Sequence, residues 1–306
     1  MHRRRFGILI VLAGLLAATS VACVPPPEAC KGTGTVSHRD LRYAQSPDVA
    51  PRLQSLDLYV PTRPAPCGPA PVVVYVHGGG FRIGSKSNNV ADKIRLFNDE
   101  GWAFASIEYR LYGNPGAGPT NGAYPAQQED IASALGFVRQ HATGYGIDPE
   151  RMMLIGHSAG AFLVALEATD LSFVQSAGLD PGDIVCTAPL DTETFDVRAQ
   201  IEGGGSQEAV YRAVFGNDPT IWDRASPIRN VAPGKGIGSF LMFTQGSLRR
   251  LAGNLQFETA LHQAGNPADV VRAEPLDHAG VNDAVGKPGD TIVTPPLMAF
   301  FRGCVA

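Results

Sequence analysis

Two clusters of residues and one lone histidine in this chain have the types and order that acyl transfer requires. Gly156-His157-Ser158-Ala159-Gly160 is a Gly-x-Ser-x-Gly pentapeptide. Glycines on both sides of a serine let a strand reverse into a helix through a turn too tight for larger side chains, and the serine hydroxyl is left exposed. In a chain with 35 glycines the pattern alone is weak, so context decides. Residues 152–155 (MMLI) read as a strand and residues 161–168 as a helix, the order that such an elbow needs. Ser158 is therefore the candidate nucleophile, standing at a helix N-terminus whose N–H groups favour negative charge.

His77-Gly78-Gly79-Gly80 follows directly on the apolar run 72–76 (VVVYV). Backbone N–H groups of a glycine-rich turn at a strand end can converge on one oxygen, as the oxyanion of acyl transfer demands. Gly78 and Gly79, completed by the N–H of Ala159, form the candidate oxyanion hole. The plain alternative is a tight turn and nothing more. A phosphate loop is excluded, because Gly84 is followed by Ser85-Lys86 and that loop needs Lys before Ser or Thr. His278, late in the chain and after the serine, fits the order serine, acid, histidine and is the candidate general base. His157 adjoins the nucleophile but is expected to point away from the pocket, since neighbours in an elbow face opposite ways. No His-Glu-x-x-His or Cys-x-x-Cys occurs, so neither a metal nor a cofactor is expected.

The elements that must position these residues alternate along the chain. Residues 54–60 alternate apolar and polar, as a half-buried strand does. Residues 72–76 are β-branched and continuous, as in a parallel strand covered on both faces. Strands are also expected at 103–108, 152–155, 184–188, 240–243 and 270–273, and helices at 126–141, 159–168, 255–264 and 295–301, with a turn at 148–150. This order predicts an α/β fold: a mostly parallel sheet with helices on both faces. The irregular stretch 190–231 is expected to hold small helices over the sheet edge, a cap in this architecture.

Length and composition are compatible with one large domain. The chain has 306 residues, 44% hydrophobic and 18% charged, with a net charge of −4. No long basic run follows the first few residues, so nucleic-acid binding is not suggested. Residues 2–5 (HRRR) are cationic and 6–18 apolar, and small residues precede Cys23. This is the three-part pattern of an export signal, too short to span a bilayer comfortably. The organisation expected is a signal peptide at 1–22, a lipid-anchor linker and extension at 23–50, and the catalytic domain at 51–306. Cys23 resembles the lipidated cysteine of a bacterial lipobox, although cleavage after Ala22 by the ordinary signal peptidase fits as well. Setting Cys23 aside leaves Cys30, Cys67, Cys186 and Cys304, an even number for an oxidising compartment. Of the three pairings, Cys30–Cys67 with Cys186–Cys304 is the one expected. The protein is thus expected to be exported, as a surface lipoprotein or freely secreted, with no oligomeric state assigned.

With these motifs in hand, His77–Gly80, Ser106-Ile107-Glu108-Tyr109-Arg110-Leu111, Tyr124-Pro125-Ala126-Gln127-Gln128-Glu129-Asp130 and Tyr145-Gly146-Ile147-Asp148-Pro149-Glu150-Arg151 together resemble α/β-hydrolases near the hormone-sensitive-lipase-like and feruloyl-esterase-like carboxylesterases. The related arylformamidases look similar. The resemblance is strong between residues 72 and 168 and weaker afterward. It implies hydrolysis of small acyl esters without a cofactor, with the first two loop glycines supplying N–H groups. One departure stands out. The resemblance implies His-Gly-x-x-Asp after the penultimate strand, where this chain reads Gln245-Gly246-Ser247-Leu248-Arg249. Arginine has no acceptor to offer an imidazole, so the acid must come from another strand end. Asp191, just beyond the strand 184–188 and between Ser158 and His278 in sequence, is the candidate. Glu193 and Asp196 are the runners-up, and a Ser–His dyad with Asp191 merely capping a turn is the alternative. Besides an active carboxylesterase, two readings stay open: a catalytically weak fold used as a surface binding lipoprotein, and an amidase or formamidase on the same scaffold.

Overall fold

The protein is described here from a computed structural model over residues 27–205 and 207–306. The expected export signal and Cys23 lie outside the described residues. Eight strands form one sheet: β1 Gly34–Arg42, β2 Ser55–Thr62, β3 Ala70–Val76, β4 Ala103–Ile107, β5 Ile147–His157, β6 Ile184–Leu190, β7 Ser239–Thr244 and β8 Ala268–Arg272. Their spatial order is β1-β2-β4-β3-β5-β6-β7-β8. The pairs β1–β2 and β2–β4 are antiparallel and all others parallel. The helices are α1 Ala91–Asp99, α2 Ala126–Tyr145, α3 Ala159–Thr169, α4 Ser172–Ser176, α5 Val197–Glu202, α6 Glu208–Phe215, α7 Pro219–Arg224, α8 Pro227–Asn230, α9 Leu248–Gln263, α10 His278–Asp283 and α11 Thr294–Val305. The expected cap stretch holds α5 to α8.

Alternation along the central strands divides the core into two layers. Val72, Val74 and Val76 of β3 face Leu135 of α2 and Phe162 of α3 on one side of the sheet. Val73 and Tyr75 face Phe97 of α1 and Phe301 of α11 on the other. Both faces are dry, which is why 72–76 reads as an unbroken apolar run.

The two disulfides pair Cys30 with Cys67 and Cys186 with Cys304. The second ties β6 to α11.

Two features of the sheet differ from the expectations. The turn expected at 148–150 is the irregular start of β5, where Asp148 accepts the Glu150 N–H at 3.0 Å and the pairing with β3 slips. The sheet also takes in β1, from within the expected linker and extension. Its residues (GTVSHRDLR) are mostly exposed, so no apolar alternation marks it. Arg39 and Asp40 of β1 lie near Asp57 of β2, and Lys86 donates to both carboxylates at 2.7 and 2.8 Å. An edge strand carrying charged side chains, as this one does, resists pairing with another sheet.

Candidate active site

Strand order reverses between β3 and β5: the chain leaves β3 toward β4, then returns to the other side for β5. In open α/β sheets such a reversal leaves a crevice at the carboxyl ends of the two strands. Those ends carry the glycine loop (after Val76) and Ser158 (after His157). The next strand, β6, ends one residue before Asp191. Strand pairing reaches the site itself. The Ser158 N–H donates to Leu190 O at 2.9 Å and the Asp191 N–H to Phe243 O at 2.8 Å.

Ser158 has φ 56° and ψ −118°, a conformation that costs a non-glycine residue of order 1–3 kcal/mol and persists only where the surroundings enforce it. The enforcement is close packing. A Cβ at Gly160 would stand 2.1 Å from Val76 O, so α3 can press against the end of β3 only with glycine there. A Cβ at Gly78 would stand 3.1 Å from Ser158 Cβ, which places the glycine loop directly beside the nucleophile.

His278 opens α10, whose N-cap is Asp277, accepting the Gly280 N–H at 2.7 Å. The Ser158 hydroxyl lies 2.9 Å from His278 Nε2, and His278 Nδ1 lies 2.6 Å from Asp191 Oδ2. Asp191 thus meets the geometric requirement for the acid. Glu193 and Asp196 do not contact the imidazole: Glu193 pairs with Arg250, and Asp196 caps α5 through the Ala199 N–H. The Asp191 carboxylate also accepts from the Gln245 N–H and Nε2, both at 3.0 Å. Burial pushes the Asp191 carboxyl up, but the His278 hydrogen bond, those from Gln245 and the Arg250 charge outweigh it and hold it below the usual carboxylate range.

The cation near this carboxylate is not Arg249, which donates to Gln200 Oε1 at 3.1 Å. It is Arg250, 2.8 Å from Asp191 Oδ2.

His157 does not line the cleft, but its ring lies 4.6 Å from that of His278. Burial first, and then the neighbouring His278, push it down to about 4. The ring is therefore neutral near pH 7, and Nε2–H donates to the His278 carbonyl at 2.8 Å.

The glycine loop is held from behind. Buried His77 donates through Nδ1 to Gly78 O at 2.7 Å and stacks on Tyr109. Tyr109 donates to His77 O at 3.0 Å, and Glu108 Oε1 accepts from Ser85 and from the Lys86 N–H. Because the peptide is trans and planar, fixing Gly78 C=O directs the Gly79 N–H the opposite way. Gly79 has φ 117°, and its carbonyl closes the turn by accepting from Arg82 and Ile83. Ala159 is the first residue of α3, so its N–H has no acceptor within the helix. The motif residues Arg110 and Asp130 serve structure instead: the arginine donates to the aspartate from N and Nε, both at 2.8 Å.

Gly80, Ser158, Ala159 and His278 border a cleft of about 290 Å³. Phe81, Val210 and Tyr211 form its apolar wall, and Glu193 and Arg250 a polar one. Phe81 meets Phe162 and Phe215 edge-on, and Tyr211 meets Phe162 edge-on and stacks on Phe215.

A family model described as BD-FAE matches residues 56–203. Esterase B from Lactobacillus rhamnosis superimposes with a TM-score of 0.69 at 20% identity, over 92% of this chain and 88% of that one. The chain has the α/β-hydrolase fold. Among curated relatives, esterase LipQ of Mycobacterium tuberculosis is 30% identical over 186 residues, 58% of this chain and 42% of that protein. A probable isoprenylcysteine alpha-carbonyl methylesterase of Oryza sativa subsp. japonica is 37% identical over 110 residues, 36% of this chain and 24% of that protein. The chain thus spans less than half the length of these curated relatives.

Arg250 with its Glu193 partner, the contacts of Gln245 and His157, and the cleft wall from α6 are what sequence reasoning misses at this site. Ser247 was the available signal. Its side chain accepts the Arg250 N–H at 3.3 Å, and a serine N-cap there starts α9 at Leu248, seven residues before the apolar spacing suggests.

Proposed function

We propose that this protein is a serine carboxylesterase acting on small acyl esters. The observation that carries the reading is the line Ser158–His278–Asp191, closed by contacts of 2.9 and 2.6 Å beside the glycine loop. Ser158 Oγ attacks the ester carbonyl as His278 Nε2 takes its proton. Asp191 holds the imidazole in the tautomer with Nε2 free and stabilises the imidazolium. The carbonyl oxygen becomes an oxyanion facing the N–H groups of Gly78, Gly79 and Ala159. Collapse breaks the ester C–O bond, and His278 returns the proton to the departing alcohol. Water then enters by the same route, releasing the acid and restoring the serine. No cofactor takes part in these steps.

The aromatic wall of a 290 Å³ cleft supports short acyl chains. p-Nitrophenyl acetate and butyrate should be turned over at least about tenfold faster, by kcat/KM, than the octanoate, in line with what a shaped pocket discriminates. A preference for octanoate would overturn the size assignment. A folded sample that hydrolyses none of the three would overturn the esterase reading.

Export, with a lipid on Cys23, belongs to the same proposal. The signal-like start and the pairing of the other four cysteines support it. Cells fed a fatty-acid analogue should label the wild type and not Cys23→Ser. Unlabelled wild-type protein found only in the medium would refute the lipid anchor.

A further inference from the structure

Asp191 does not serve His278 alone. Its Oδ2 atom accepts from three donors: His278 Nδ1 at 2.6 Å, Arg250 Nη1 at 2.8 Å and Gln245 Nε2 at 3.0 Å. A guanidinium on the oxygen that must stabilise an imidazolium competes for the same negative charge. Arg250 is mostly buried, so water screens this competition poorly. The other end of the guanidinium carries its own counter-ion, however: Arg250 Nη2 lies 2.6 Å from Glu193 Oε2. With Glu193 present, the three groups beside His278 bear one net negative charge, which imidazolium formation cancels. Without it the cluster would be neutral at rest and would become positive in the transition state.

We propose that Arg250 and Glu193 act as one positioning unit. Arg250 fixes the Asp191 carboxylate against His278 from the start of α9, and Glu193 cancels the charge that Arg250 brings. The inference rests on the esterase reading only for the use made of His278; the electrostatic arrangement stands by itself. Among the described residues, the other titratable groups around His278 are His157 at the end of β5, Lys93 of α1 (which donates to Asn282 O at the far end of α10) and Asp277 and Asp283 of α10. All four are left intact in the variants below.

The test is the sign of two shifts. Glu193→Gln is nearly isosteric and leaves the guanidinium uncompensated. It should move the midpoint of the His278 imidazole titration, followed by NMR, down by roughly half a pH unit or more. Arg250→Met removes the competing cation and should move it up. The acidic limb of the kcat/KM profile should follow in both cases. A merely structural anchor would lower kcat in either variant without opposed shifts. Shifts of the same sign, or none, would overturn the proposal. Should Arg250→Met not fold, the sign for Glu193→Gln decides alone. The NMR titration is repeated with Ser158→Ala as background, where no turnover is needed. Opposed imidazole shifts, together with no ester hydrolysis by the folded protein with Ser158 intact, would uphold the charge-balancing pair and sink the esterase reading.

Discussion

Ser158→Ala should lower kcat/KM for p-nitrophenyl acetate by roughly 10⁴–10⁶-fold, the range for removal of a triad nucleophile. The loss is large because the variant has no oxygen to carry the acyl group, so His278 is left activating a water that nothing positions. Background catalysis from the oxyanion hole should survive, which keeps the rate above that of the uncatalysed reaction. A fluorophosphonate probe should label the wild type at Ser158 and leave the variant unlabelled. Thermal unfolding should change little, since the hydroxyl makes a single hydrogen bond, to His278. Activity retained within tenfold of wild type would remove Ser158 from the mechanism.

Asp191→Asn should cost about 10⁴-fold in kcat, the magnitude seen when a triad acid becomes an amide. The contact at 2.6 Å now joins a carboxylate to a protonated Nδ1. An amide that turns its NH₂ toward the ring needs Nδ1 unprotonated, which places the proton on Nε2, where it blocks the serine. The variant also leaves Arg250 facing no charge on that side, so some loss of stability accompanies the loss of rate. Asp196→Asn is the control. Its carboxylate caps α5 and pairs with Arg229, and the rate should stay within a factor of about three, as for a surface-type change. Equal losses in both variants, or near wild-type activity in Asp191→Asn, would indicate that His278 works without this partner.

Sequence and structure agree best where burial writes a clear pattern. The run at 72–76 is dry on both faces, and the elbow is a local motif with a steric cause, so both are legible from residues alone. Asp191 is legible only by inference: the acid missing after β7 has to come from elsewhere, and β6 ends beside β7. Strand β1 escapes because exposure on both sides leaves no alternation to detect, and α1 because its few apolar residues (Ile94, Leu96, Phe97) are interleaved with charge. Arg250 escapes for a different reason. Its partners Asp191 and Glu193 are 59 and 57 residues away, and only the sheet order brings them together. His157 points away from the pocket, as elbow geometry implies, but its hydrogen bond to a backbone atom 121 residues on has no signature in spacing.

The Cys30–Cys67 bridge has a consequence for how the protein is presented. Cys67 lies in the turn between β2 and β3, so the bridge fastens the described N-terminus beside the first residue of β3. The glycine loop, Ser158 and Asp191 all emerge from the opposite ends of the parallel strands. β3 is seven residues long, which separates the two edges by roughly 20–25 Å. The bridge therefore holds the start of the described chain on the edge of the sheet far from the cleft.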